Sequence, residues 1–143
     1  MNALGIFPAE PEGDEPWHID PKDNDPRDEL KRQSAFLRDA KIICPGVDIF
    51  AVPNAAKRSQ WAANKARREG MTAGVLDLVA TWKGGGAAFL EFKDGKKMPD
   101  ANQRDRLNLL MRQGHHCGVF RQEKSALDFL RRCGAPFIDR RGL

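Results

Sequence analysis

Two short apolar segments, "VLDLVATW" and "AAFLEFKD", flank the turn sequence "KGGG". Glycines tolerate the positive φ angles of tight turns, and both segments have the composition of strands. The sequence therefore predicts an antiparallel hairpin of strand 75–82 and strand 87–93, with its turn near Gly84 and Gly85.

Three charged residues interrupt these apolar segments. Successive side chains of a strand point to opposite faces, so Glu91 and Lys93 share one face. Phe89, two residues before Glu91, is an apolar residue on that same face. The predicted hairpin places Asp77 opposite residues 91–93, so the carboxylates of Asp77 and Glu91 converge. Charges at the end of a mostly buried strand are costly unless they serve a purpose.

Two carboxylates close together repel each other, and one becomes protonated unless a cation lies between them. Oxygen ligands without a nearby thiolate or imidazole favour Mg²⁺ or Mn²⁺ over zinc. Lys93 follows Glu91 by two residues and can hold a water molecule or a phosphate as a point charge. The pattern predicts metal-assisted hydrolysis of a phosphodiester. The alternative for Glu91 and Lys93 is an exposed salt bridge. The alternative for Asp77 is a strand acid that faces solvent or caps a neighbouring turn.

The remaining segments predict an α/β fold in the order α-β-(basic segment)-β-β-α-β-α. Asp25 is expected to cap the first helix, with Pro26 in its first turn. The β-α-β step over 87–121 predicts a parallel strand pair within a mixed sheet flanked by helices. The predicted elements besides the hairpin are helix 25–43, strand 47–54, the partly helical basic segment 55–74, helix 100–114, strand 115–121 and helix 123–134.

Charge is unevenly distributed along the 143 residues. Residues 1–28 contain eight acids and two bases, and since the whole chain carries +4, the rest carries +10. A basic body can follow a nucleic-acid backbone, although a solvated basic surface has the same composition. Residues 1–24 are acidic and rich in proline and predict an irregular arm; the alternative is a strap anchored by Ile6, Phe7 and Trp17.

The composition is that of one globular domain in a reducing compartment. No apolar run approaches the roughly 18 residues of a membrane helix, and the N-terminus lacks the features of a secretory signal. Three widely spaced cysteines argue against a zinc site or a disulfide framework and fit the cytosol. His115 and His116 are adjacent on a predicted strand, so they face opposite ways and cannot chelate one ion together.

At this point the chain resembles a known family. The pattern D-x(13)-E-x-K across a hairpin, followed by helix, strand and helix, resembles the PD-(D/E)XK nuclease superfamily. More narrowly, "GMTAGVLDLVATWKGGGAAFLEFKDGKKMPDANQRDRLNLLMRQGHHCGVFRQEKSALDFL" is similar to the VRR-NUC family, over about residues 28–133. The resemblance implies a restriction-endonuclease-like α-β-β-β-α-β-α core at 25–134, between the arm at 1–24 and a short basic tail at 135–143.

The resemblance also implies a Mg²⁺- or Mn²⁺-dependent DNA endonuclease and roles for its residues. Asp77, Glu91 and the backbone carbonyl of Phe92 would be metal ligands, and Lys93 the catalytic lysine. Gln103 matches a supporting helix glutamine, and Glu29 a first-helix acid. Both have a structural alternative: "DANQ" fits a capping box with Asp100, and Glu29 suits a helix N-terminus.

Basic residues before and after the predicted site are candidates for contact with the DNA backbone. The alternative is a solvated helix face. The candidates are Lys57, Arg58, Lys65, Arg67, Arg68, Lys96 and Lys97. Trp61, within the basic segment, either stacks on a base or packs inside.

Three functional hypotheses follow. The first is a metal-dependent endonuclease which, like the short stand-alone, phage-like members that the chain resembles, acts as a homodimer on branched or four-way-junction DNA in the cytoplasm of a bacterial or phage-infected cell. The second is a nuclease fold that binds nucleic acid or a protein without cutting. The third is an obligate dimer whose acidic arm inhibits or exchanges with its neighbour.

Overall fold

The computed structural model describes residues 13–53 and 59–138 and contains nine elements. None of the helices in these two ranges has the length and apolar character needed to cross a bilayer. The elements are β1 (His18–Ile19), α1 (Glu29–Ile43), β2 (Asp48–Ala51), α2 (Gln60–Arg68), β3 (Leu78–Trp82), β4 (Gly86–Phe92), α3 (Ala101–Arg112), β5 (His116–Phe120) and α4 (Glu123–Arg132).

The five strands form one mixed sheet in the order β1-β5-β4-β3-β2. β3 and β4 make the predicted hairpin, with Leu78 opposite Leu90 and Trp82 opposite Gly86. Gly84 and Gly85 have φ angles of 93° and 81°, which explains why this turn needs glycine. β4 and β5 run parallel, with α3 between them in the chain, so the predicted β-α-β step is confirmed.

Helices cover both faces of the sheet, and the alternation of β4 assigns its side chains to one face or the other. Leu90 and Phe92 lie in a core with Phe36 of α1 and Leu130 of α4. Phe89 packs on the opposite core, which contains residues of α3. Because strand side chains alternate, Glu91 lies on the same face as Phe89, the α3 side of the sheet.

The first helix begins three residues later than the sequence predicts. Its N-cap is Asp28, whose carboxylate accepts the N–H of Lys31 at 2.9 Å. The predicted cap, Asp25, has another role: its carboxylate accepts the backbone N–H of Arg27 at 3.0 Å and that residue's guanidinium at 2.7 Å. Competition from this local charge pair is why the prediction of Asp25 as the N-cap is wrong.

The part of the N-terminal segment that the structure describes, residues 13–24, packs on the body in the manner of the strap alternative. His18 and Ile19 form β1, parallel to β5. Trp17 is buried, and its indole N–H donates to Oδ1 of Asn108 on α3 at 2.8 Å. The other two anchors named for a strap, at positions 6 and 7, lie outside the described residues.

Candidate active site

The carboxylates of Asp77 and Glu91 meet between two antiparallel strands. Asp77 directly precedes β3, and the hairpin register places it opposite Glu91 on β4. Oε1 of Glu91 accepts the backbone N–H of Asp77 at 3.2 Å, and Oδ2 of Asp77 accepts the backbone N–H of Phe92 at 3.2 Å. Each carboxylate is thus held by the backbone of the opposite segment, and both are aimed into the same small volume.

Burial and like charge make this pair unfavourable in its fully ionised form. Glu91 is only 2% exposed. Burial, the charge of Asp77 and a hydrogen bond between the two side chains raise the pKa of Glu91 to about 9, although Lys93 acts in the opposite direction. A proton or a cation between the two oxygen atoms relieves the repulsion, so the pair is a natural position for either one.

Lys93 extends its side chain back toward this pair. Its Nζ lies 3.8 Å from Oε2 of Glu91, and its side chain is 11% exposed. Its backbone N–H donates to the carbonyl of Phe120 at 3.0 Å, which continues the pairing with β5. At 3.8 Å the ammonium group is close enough to neutralise charge but too far to form a hydrogen bond with Glu91. Within residues 13–53 and 59–138 it makes no other hydrogen bond, so its donors are available to another group.

Gln103 lies on the same side of the sheet as Glu91. It is buried in the first turn of α3, four residues before Leu107 of the core on that side. Its side chain completes the capping box: Oε1 of Gln103 accepts the backbone N–H of Asp100 at 3.0 Å, and the backbone N–H of Gln103 donates to Oδ1 of Asp100 at 2.8 Å. The structural alternative is therefore present. The cap uses only the carbonyl oxygen, so a site role for the amide nitrogen stays a prediction.

The carboxylates of Asp77 and Glu91 are the main source of oxygen ligands for a metal ion at this site. Within residues 13–53 and 59–138, no three His, Cys, Asp or Glu side chains are grouped closely enough to hold a metal ion. Glu29 lies in the first turn of α1, whose core residues pack on the opposite face of the sheet from Glu91, and its role as a ligand stays a prediction. Phe92 ends β4 beside the pair, and the role of its carbonyl stays a prediction.

The basic residues predicted to contact DNA lie in two exposed regions. Lys65, Arg67 and Arg68 are exposed on α2; positions 57 and 58 lie outside the described residues. Lys96 and Lys97 are exposed in the loop after Lys93, where their backbone N–H groups donate to Oδ1 of Asp94 at 3.0 Å.

This loop also lines a cavity of about 550 Å³ that extends to the N-terminal end of α1. Asp94 and Lys97 belong to its lining, together with Asp25 and Asp28, whereas Asp77, Glu91 and Lys93 do not. The cavity therefore borders the loop after Lys93 and does not contain the carboxylate pair.

One buried arginine that the sequence did not single out fixes the backbone around the site. Arg121, 0% exposed, follows β5. Its Nη1 donates to the carbonyl of Lys97 at 2.7 Å and to that of Asp94, and its Nε donates to the carbonyl of Asp20 at 3.2 Å. Arg121 thus ties the loop after Lys93 to the strap and to the end of β5.

A second buried arginine, on α1, also links the N-terminal strap to the end of β5. Arg32 of α1 binds both carboxylate oxygens of Asp23 at 2.9 Å and donates to the carbonyl of Arg121 at 2.7 Å. A signal for it was present in the sequence: Arg32 precedes Phe36 and Ala40 by four and eight residues, so it lies on the apolar stripe of the helix.

Three histidines provide no alternative centre. His115 and His116 are exposed, and the ring of His115 packs edge-on against Phe89 with 5.6 Å between centroids. His18 is hydrogen-bonded to Asp20 at 2.6 Å and stacks on Phe120. The carboxylate pair with Lys93 is therefore the group best arranged for chemistry in the described part of the chain. The chain matches no protein-family model, no curated protein and no solved structure with which it was compared.

Proposed function

We propose that this chain is a Mg²⁺- or Mn²⁺-dependent endonuclease that hydrolyses DNA phosphodiester bonds, with a restriction-endonuclease-like core of the VRR-NUC type. The single observation that carries the proposal is the meeting of Asp77 and Glu91 across the hairpin, with the ammonium group of Lys93 3.8 Å from Glu91. A cation held by the two carboxylates, together with the ammonium group of Lys93, would stabilise the negative charge that increases during attack on a phosphate.

The residues at the site fit a hard divalent cation. Burial and the charge of Asp77 raise the pKa of Glu91 to about 9, and a cation between the two carboxylates would remove the repulsion. Two carboxylates and a backbone carbonyl are the kind of incomplete oxygen shell with which Mg²⁺ retains water and substrate phosphate as its other ligands. When bound, such an ion polarises the phosphate and makes water a better nucleophile.

The chain's own side chains then have separate tasks. Asp77 and Glu91 supply the oxygen ligands, each already oriented by a backbone N–H from the opposite segment. Lys93 donates to the scissile phosphate or to the attacking water, because its ammonium group is not held by a hydrogen bond to Glu91. The amide nitrogen of Gln103 is a further donor on the same face. Lys96 and Lys97 hold the DNA backbone beyond the reacting phosphate.

A cleavage panel tests this function. Four-way junction, flap, duplex and single-stranded DNA are incubated with the purified chain in Mg²⁺, in Mn²⁺ and in excess EDTA. We expect metal-dependent cleavage with a preference for branched DNA, and its loss in Asp77→Asn. Asp105→Asn, an exposed acid on α3, is the matched control and should cleave normally.

Two results would count against the proposal. Full activity of Asp77→Asn, or full activity in excess EDTA, would exclude the carboxylate pair as the reacting centre. If the wild type with Mn²⁺ binds but leaves every DNA intact, the non-cleaving module becomes the better interpretation. The homodimer implied by the resemblance is a separate proposal, measured by light scattering of the full chain.

A further inference from the structure

Trp61 projects into solvent from α2. Its side chain is 71% exposed, whereas Trp17 is buried and Trp82 packs against the main core. The sequence left open whether Trp61 stacks on a base or packs inside, and the structure excludes packing inside among the described residues. An exposed tryptophan carries a large apolar surface, and residues of this type commonly form the centre of a binding surface.

The exposed tryptophan lies on a basic face of the helix. Ala63 and Ala66 are the buried residues of α2. Trp61, Lys65 and Arg68 follow the spacing i, i+4, i+7, which places them together on the side opposite these alanines. This set of three is called the α2 face below.

The charges of the α2 face are available to a partner. Lys65 forms an ion pair with Glu69 at 3.1 Å, but both side chains are more than half exposed, so the pair contributes little. Arg68 is exposed and makes no hydrogen bond or ion pair within the described residues. A surface with one free guanidinium, one loosely paired ammonium group and an indole complements a polyanion that also carries aromatic rings.

The connection from α2 to Asp77 packs against α3, which lies on the side of the sheet that carries the site. The N–H of Met71 donates to the carbonyl of Ala66 at 2.9 Å, which ends the helix, and Arg106 of α3 donates to Oγ1 of Thr72 at 3.3 Å. At Gly74 a Cβ would lie 2.4 Å from the carbonyl oxygen of Asn102, so the backbone there is in direct contact with the first turn of α3.

We propose that the α2 face binds a single-stranded segment of nucleic acid, with a base stacked on Trp61 and phosphates beside Lys65 and Arg68. Stacking on an indole accepts any base, because every base has a π-face, and basic side chains follow the backbone without reading sequence. A continuous duplex keeps its bases stacked internally and offers Trp61 no face. The inference rests on the proposed function, and it assigns to α2 any single-stranded part of a branched substrate, such as the arm of a flap.

Tryptophan fluorescence of the full chain in EDTA tests the proposal without cleavage. Titration with oligo(dT) of about 20 nucleotides, longer than a typical single-strand site, should quench the emission of Trp61. Trp61→Phe should lose the quenching and keep most of the affinity, whereas Trp61→Ala should bind about 5- to 150-fold more weakly, the range typical of one lost base stack. Leu30→Ala, which removes a side chain 70% exposed on α1, is the matched control.

Three outcomes would overturn the inference. The first is an unchanged affinity of Trp61→Ala for oligo(dT), and the second is an equal loss of affinity of this variant for a long blunt duplex. The third is a different oligomeric mass of Trp61→Ala in solution, which would make the α2 face a contact between copies. The two proposals fail separately. Quenching by oligo(dT) without any cleavage would refute the nuclease but not the single-strand site. Normal cleavage by the wild type, together with an unchanged affinity of Trp61→Ala for oligo(dT), would refute the single-strand site but not the nuclease.

Discussion

Asp77 and Glu91 hold each other in place across the hairpin: each carboxylate accepts the backbone N–H of the other's segment at 3.2 Å. These bonds hold the two acids so close together that they repel each other when both are ionised. Burial and the charge of Asp77 therefore raise the pKa of Glu91 to about 9. The fold therefore builds a position for a proton or a cation before any ligand is present.

The first prediction concerns the free energy of unfolding of Glu91→Gln in EDTA. Because the folded-state pKa of Glu91 is raised, its contribution to stability is complete below about pH 4.5 and is lost as pH rises toward about 9. Glutamine does not titrate, so we expect Glu91→Gln to equal the wild type near pH 4 and to exceed it by roughly 3–5 kcal/mol at pH 8, at about 1.4 kcal/mol for each pH unit above 4.5. Urea unfolding at both pH values measures the difference.

Mn²⁺ supplies the control for this experiment. An ion that binds only the folded chain raises its melting temperature, so Mn²⁺ should stabilise the wild type at pH 8 and leave Glu91→Gln unchanged. A wild type that is as stable as Glu91→Gln in EDTA at pH 8 would show that the pair is not strained by charge. Equal stabilisation of both proteins by Mn²⁺ would place the ion elsewhere.

The second prediction separates two lysines that lie three residues apart. Lys93 is nearly buried beside Glu91, whereas Lys96 is exposed. We expect Lys93→Met to lower kcat by about 100- to 1000-fold, the usual effect of removing one donor to a developing charge, with little change in DNA affinity. Lys96→Met should instead weaken binding and reduce its salt dependence while kcat is retained.

Single-turnover cleavage and filter binding at several salt concentrations distinguish these effects. Arg38→Met, which removes an exposed base on α1, controls for the loss of one positive charge. A kcat of Lys93→Met close to the wild type would remove Lys93 from the proposed reaction, whatever happens to its affinity.

The third prediction concerns the buried guanidinium of Arg121. Arg121→Met leaves the carbonyls of Asp20, Asp94 and Lys97 without their donor, and the bond to Asp20 is fully buried. One unsatisfied buried group costs about 1–3 kcal/mol, so the free energy of unfolding should fall by at least about 1–3 kcal/mol. Arg132→Met, at the exposed end of α4, is the matched control and should change it by less than about 0.5 kcal/mol. A small effect of Arg121→Met in urea unfolding would mean that water replaces the guanidinium.

The hairpin was predictable from the sequence, and the elements around it were less so. Adjacent glycines at 84 and 85 fix the turn, the turn fixes the register, and the register brings Asp77 opposite Glu91. β1 was missed because two residues in a proline-rich acidic segment have no periodicity to detect. Arg121 was missed for a different reason: a charged residue after a strand is normally solvent-exposed, and only the three-dimensional position of distant carbonyls makes it structural.

The last prediction tests whether residues 13–24 belong to the folded unit. Trp17 is 9% exposed and donates to Oδ1 of Asn108, which also accepts the backbone N–H of Glu15 at 2.9 Å. Trp17→Ala should destabilise the chain by about 3–5 kcal/mol, as expected for a buried aromatic residue. Trp17→Phe keeps an aromatic ring but removes the indole N–H, so it should lower the free energy of unfolding by about 1 kcal/mol for the lost hydrogen bond, in addition to any cost of the changed packing. Removing residues 1–24 should cost still more, because Arg32 then loses Asp23.

A double-mutant cycle makes this prediction specific to the hydrogen bond. Trp17→Phe and Asn108→Ala are measured alone and together by urea unfolding, and we expect a coupling energy of about 0.5–1.5 kcal/mol. Trp17→Phe combined with Ser34→Ala, an exposed position on α1, should be additive. Zero coupling between positions 17 and 108, or full stability after deletion of residues 1–24, would show that the strap is not part of the cooperative fold. A coupled strap would mean that the acidic segment is held on α3, next to the turn that carries Gln103.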